Sequence, residues 1–201
     1  MCSERYRRML GIVVTALLTV SLSVGCGDED EGGLPTEEVA AGWSRFQNEQ
    51  FTDAIQSFQE AASKAPGWGE PYNGLGWCYA ALDSLDRAEE NFELAVAKGP
   101  NLTDAWAGLA LVKLALEEFL EGGNAARKAI ELGQDKYVFR YDDRVNAKSL
   151  RIAYAECAFY YGDYTTAEEQ VELVSLDSLL DPSDPDYVVK LLEAIGRLSR
   201  Q

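Results

Sequence analysis

The sequence predicts an all-α solenoid of about four helical hairpins closed by a C-terminal capping helix. Three observations predict it. Gly42, Trp43, Ala54, Phe58, Ala61 and Pro66 return 34 residues later as Gly76, Trp77, Ala88, Phe92, Ala95 and Pro100, and self-similarity at this period marks a stacked helical array. Small residues (Gly42, Gly76, Ala110 and Ala155; then Ala54, Ala88 and Ala167) recur where two helix backbones must approach, and Pro66 and Pro100 follow helix ends, where a missing N–H costs little. Finally, Tyr187, Leu191, Ala194, Ile195 and Leu198 share one helical face while Lys190, Glu193, Arg197 and Arg200 lie elsewhere, which suits a cap with a polar outer side.

The elements follow in order. Residues 1–25 read as a signal peptide: Arg5, Arg7 and Arg8 precede an uncharged run that starts at Met9. Its end, "LSVGC", resembles a bacterial lipobox, in which a small residue precedes the Cys that receives the lipid. That resemblance implies a mature protein starting at lipid-modified Cys26 and anchored to a membrane. A plain cleaved signal and a retained anchor are the other readings, since the uncharged run to Gly27 barely suffices to span. Gly27 is not Asp, which favours the outer membrane, with the protein facing the periplasm. Residues 26–34 ("CGDEDEGGL") are an acidic, Gly-rich tether with nothing to pack.

Residues 35–201 form the solenoid, with units at 35–68, 69–102, 103–136 and 148–181, an insert at 137–147 and a cap helix at 185–201. One unit cannot bury its apolar face alone, so the units stack. The third keeps Trp106, Leu109, Ala110, Phe119 and Ala129, with Gly122 and Ala126 where the second has Ala88 and Phe92. In the fourth, Ala167 follows Gly122 by 45 residues, an eleven-residue phase shift that falls at "KYVFRYDDRVN". Tyr137, Phe139 and Tyr141 alternate there with Val138 and Arg140, an extended pattern. A loop this aromatic is expected to pack against the solenoid, or to serve as a contact for a partner.

Tyr72, Leu75, Gly76, Tyr79, Ala88, Phe92, Ala95 and Pro100 match the large, Leu, Gly, Tyr, Ala, Phe, Ala, Pro pattern of the tetratricopeptide repeat, and the chain resembles that family over about 35–136 and 148–180. The resemblance implies a right-handed superhelix whose first helices line a concave groove. It also implies a scaffold that binds a protein or peptide there. Carried over by position, the groove residues are Trp43, Phe46, Asn73, Trp77, Leu111, Leu114, Phe159 and Tyr160, with Val39, Glu70 and Asp104 beside them. Trp43 and Trp77 should form an aromatic ladder. Either the insert or the C-terminal helix covers this face, or it is an open slot for an apolar helix or extended peptide. The family's Lys/Asn/Arg carboxylate clamp is absent: Val39, Trp43, Gly74, Asp104 and Gly108 stand at those places. A small-molecule or glycan receptor is the alternative, with Gln47, Glu70 and Asn73 near the indoles. Solenoids with apolar grooves also pair with themselves, so a homodimer stays open.

Composition narrows the rest. The net charge is −16 and residues 1–25 contribute +2, so the chain from Cys26 onward carries about −18. Such a surface repels nucleic acid. There is no His, so no Ser–His or Cys–His dyad exists within the chain. No cofactor, metal site or enzymatic activity is expected. Lys136, Arg140, Arg144, Lys148 and Arg151 are a basic cluster, with Arg144, Lys148 and Arg151 on one helical face by spacing. They should pair with neighbouring carboxylates. Cys78 and Cys157 hold equivalent places one unit or more apart, on the order of 20 Å from helix spacing. A disulfide needs Cα atoms within about 7 Å, so both are expected as free, buried thiols.

Overall fold

The computed structural model describes residues 34–175 and 180–200. The signal peptide, Cys26 and the tether up to Gly33 lie outside the described residues. Among the described residues nine α-helices follow one another: α1 Thr36–Gln47, α2 Phe51–Lys64, α3 Gly69–Ala81, α4 Leu85–Lys98, α5 Thr103–Ala115, α6 Phe119–Gly133, α7 Ala147–Tyr161, α8 Tyr164–Val174 and α9 Tyr187–Leu198. They pair as α1/α2, α3/α4, α5/α6 and α7/α8, each pair stacked on the next. Among the described residues there is no strand, only an isolated antiparallel bridge between Val138 and Asn146. The all-α solenoid of helical hairpins is thus the observed fold.

Each hairpin turns by the same device. Glu49, Asp83, Glu117 and Gly162 have φ of 58°, 56°, 65° and 97°. The residue after each donates its N–H to a carbonyl five back: Gln50 to Arg45, Ser84 to Tyr79, Glu118 to Lys113 and Asp163 to Ala158, at 2.8–2.9 Å. This left-handed cap satisfies carbonyls that the helix end leaves open. Three units use a residue that finds this conformation costly, and the fourth uses Gly.

The stacking is set by Phe rings wedged onto glycines. Phe58 and Phe92 are fully buried. A Cβ at Gly42 or Gly74 would lie 2.6 or 2.4 Å from the Phe58 ring, and one at Gly76 or Gly108 would lie 2.6 or 2.2 Å from the Phe92 ring. Each ring therefore touches the first helix of its own unit and that of the next. At the third junction Ala126 replaces the Phe and Ala153 the glycine, and both are fully buried. The residue at the Phe position is thus smaller, and the one at the glycine position larger, than at the first two junctions.

The eleven-residue phase shift is the hairpin between α6 and α7. Asn146 then starts α7 with a capping box: its side chain accepts the Ser149 N–H, and the Ser149 hydroxyl accepts the Asn146 N–H. Arg144 consequently lies before the helix, not on a helical face shared with Lys148 and Arg151. Its guanidinium grips Asp142 at 2.6–2.8 Å, while Arg151 holds Asp135 at 2.6 Å and the Gln170 carbonyl oxygen at 3.1 Å.

Helix α9 closes the array. Leu191, Ala194, Ile195 and Leu198 pack with Ile152, Ala155, Ala158, Ala167 and Val171 of α7 and α8 in a core of their own. Its outer side is less polar than the sequence predicts, because Val188, Val189 and Leu192 are exposed along with Lys190 and Glu193. Neither Cys78 nor Cys157 forms a disulfide and both are buried, and burial pushes the Cys78 thiol up to about 12.

Candidate functional site

The first helices of units one to three bring Trp43 and Phe46 (α1), Asn73 and Trp77 (α3), and Leu111 and Leu114 (α5) into one buried cluster. Both indoles are almost fully covered, Trp43 at 4% and Trp77 at 3% exposure. The cover is the 137–147 segment. It folds back as a short hairpin in which Phe139 N–H donates to the Val145 carbonyl at 2.7 Å and Ala147 N–H to the Tyr137 carbonyl at 2.9 Å.

Alternation decides what the hairpin presents. Phe139 (1% exposed) points inward while Val138 (54%) points to water. The Phe139 ring stacks on Trp77 at 4.2 Å, and the Tyr141 ring stacks on Trp43 at 4.2 Å with only 9° between planes. Phe139 also meets Trp43 edge-on at 6.0 Å, and Phe46 meets Trp43 edge-on at 5.5 Å. Offset stacks and edge contacts of this kind add about 0.5–1.5 kcal/mol per pair beyond area burial.

Polar groups frame the rings. Trp43 Nε1–H donates to Glu70 Oε1 at 2.9 Å, and the Asn73 amide donates to Glu70 Oε2 at 3.3 Å. The Tyr137 hydroxyl donates to Asp104 Oδ1 at 2.9 Å. Burial raises the carboxyls of both Glu70 and Asp104, against the pull of these hydrogen bonds. Burial, together with the Asp104 charge, also pushes the Tyr137 hydroxyl well above its ordinary value. Among the described residues, the buried Asn73 Oδ1 and Trp77 Nε1 have no hydrogen-bond partner.

Phe159 and Tyr160 are not brought to this cluster. Phe159 packs with the α9 core. Tyr160 is 44% exposed and stacks on Phe119 at 4.9 Å. The sequence-predicted set therefore divides between the covered floor of units one to three and the far end of the array. Sequence reasoning found the indoles but missed Tyr137 as a partner of Asp104. The signal for the hairpin was present in the Tyr137, Phe139, Tyr141 alternation, followed by Asn146 and Ser149 at capping-box spacing.

The tetratricopeptide repeat family profile matches residues 45–119. This segment resembles a tetratricopeptide repeat array. Solved structures share its fold. YrrB, a TPR protein with an unusual peptide-binding site, aligns with TM-score 0.64 at 16% identity over 82% of this chain and 86% of its own. MamA from Desulfovibrio magneticus RS-1 gives 0.56 at 18% identity over 70% and 73%. The TPR2B domain of yeast Sti1, in its pHsp70 complex, gives 0.51 at 21% identity over 63% and 98%. A comparison with curated proteins returns no match.

Proposed function

We propose that the chain is a lipid-anchored scaffold of a bacterial envelope that holds a protein partner through the concave face of its tetratricopeptide array. The observation that carries the groove reading is the hairpin itself: the floor holds an aromatic segment by two ring stacks at 4.2 Å and a carboxylate hydrogen bond. The peptide-binding site of YrrB and the pHsp70 complex of the Sti1 domain support the same use of a similar fold. The anchor rests on the basic start, the uncharged run and "LSVGC" before the acidic tether, and it orients the protein toward the periplasm from the outer membrane. The glycan alternative loses ground, because Tyr141 and Phe139 already cover the faces of Trp43 and Trp77.

Two measurements test this. Mass spectrometry of the membrane fraction should find a chain starting at acylated Cys26; an intact Arg5–Arg8 segment refutes the anchor. A photo-crosslinking residue at Arg140, at the rim of the hairpin, should capture the partner in cells, while one at exposed Glu90 on α4 should not. Capture from Glu90 alone refutes the groove.

A further inference from the structure

We propose that the 137–147 hairpin is an internal stand-in for the partner, and that the groove takes an extended, non-acidic segment with aromatic side chains at alternate positions. This rests on the groove reading above and adds the chemistry of the occupant and its competitor. The spacing comes from the hairpin: Tyr137 and Phe139 reach Asp104 and Trp77 from extended chain, and Tyr141 reaches Trp43 from the turn that follows, where the Asp142 N–H donates to the Phe139 carbonyl at 3.3 Å. The preference against acids comes from the floor, where the carboxylates of Glu70 and Asp104 are both half-buried and would repel a third. The part of the hairpin that meets the floor conforms, since Arg140 is the one charged residue of 137–141, and Asp142 and Asp143 come after it.

The hairpin is also an incomplete occupant. Its Phe139 N–H and Tyr137 C=O are consumed by pairing with its own return strand. The buried Asn73 Oδ1 and Trp77 Nε1 have no partner among the described residues, and the Trp77 ring lies directly against Phe139. A single extended strand has free backbone N–H and C=O groups, one for each of these atoms. An occupant whose backbone reached them would gain hydrogen bonds that the hairpin does not make, and a buried polar group left unpaired is costly. That surplus lets an incoming segment displace a covalently attached competitor, and removing the competitor raises apparent affinity by the fraction of sites freed.

The test uses the full chain and a synthetic hexapeptide of residues 136–141, KYVFRY, carrying a fluorescent label. Binding is read by anisotropy for the wild type, Tyr141→Ala, and Phe139→Ala/Tyr141→Ala, each checked for helical circular dichroism. Losing the Tyr141 stack should tighten peptide binding about tenfold, and the double variant should tighten it further. EYVFEY, with Glu for both basic residues, should bind the same variants at least about tenfold more weakly. The proposal is overturned if folded Tyr141→Ala binds KYVFRY no better than wild type, or if both peptides bind alike. Partner capture from Arg140 with failed peptide arms would overturn only this inference; capture from Glu90 alone would remove the groove reading itself.

Discussion

Phe139→Ala removes the ring at the centre of the covered groove. The side chain is 1% exposed, stacks on Trp77 at 4.2 Å, and lies 6.0 and 5.6 Å from Trp43 and Tyr141. Truncating a buried Phe costs ~3–5 kcal/mol. The site sits under a loop that can settle toward the gap, so the lower end applies: about 3 kcal/mol. For a chain of this size that corresponds to a fall in Tm of roughly 6–12 °C. Urea unfolding followed by circular dichroism measures it, and native tryptophan emission should shift to the red as water reaches Trp77. Val138→Ala is the control. Its side chain is 54% exposed, so the change should stay within about 0.5 kcal/mol. A Phe139→Ala loss below about 1 kcal/mol would mean that the hairpin is not part of the cooperative structure, and the groove would have to be described as open.

Three further outcomes are expected. Gly162→Ala should destabilise by about 1 kcal/mol because φ there is 97°, while Glu117→Gly should be neutral or gain up to about 1 kcal/mol; calorimetry on both checks that the turns share one conformation. Gly108→Ala drives a Cβ to 2.2 Å from the Phe92 ring and should cost about 1–3 kcal/mol, whereas adding Phe92→Ala should give a double variant better than the sum of the singles by at least about 0.5 kcal/mol, since Ala126 and Ala153 already make such a pair at the third junction. The third concerns pH. Burial lifts Glu70 and Asp104 above 4.5 and 3.8, so the folded state binds protons more tightly than the unfolded one; their penalty is full when both are ionised and is relieved as pH falls through the raised values. The urea midpoint should therefore rise as pH is lowered from neutral toward the ordinary carboxylate range, and Glu70→Gln/Asp104→Asn should shrink that rise; an unchanged rise points to other groups.

The repeat was legible because its chemistry is local and periodic. A ring at Phe58 or Phe92 demands glycine at fixed distances along the chain, and that demand is written at 34-residue spacing. The cap helix was legible for the same reason, from Leu191, Ala194, Ile195 and Leu198 on one face. What the helix carries outside was not, because Val188, Val189 and Leu192 break the polar pattern without changing the buried one. The covered groove was only half legible. Alternation in Tyr137, Phe139 and Tyr141 announced an extended aromatic element, but no local rule says that it crosses back over two earlier units to Trp43. Arg144 misled for a different reason: i, i+4, i+7 spacing ignores the Asn146 cap, which starts the helix after it.

The stack of Tyr141 on Trp43 ties the last-made edge of the groove to the first helix of the array. Ordinary repeat arrays interact only between neighbours, so they can ripen unit by unit and fray from either end. Here the opening units stay unfinished, their indoles bare, until synthesis has passed Ala147. A clip of this reach raises the loop-closure cost of assembly and, once shut, makes the first three hairpins melt together rather than peel away singly.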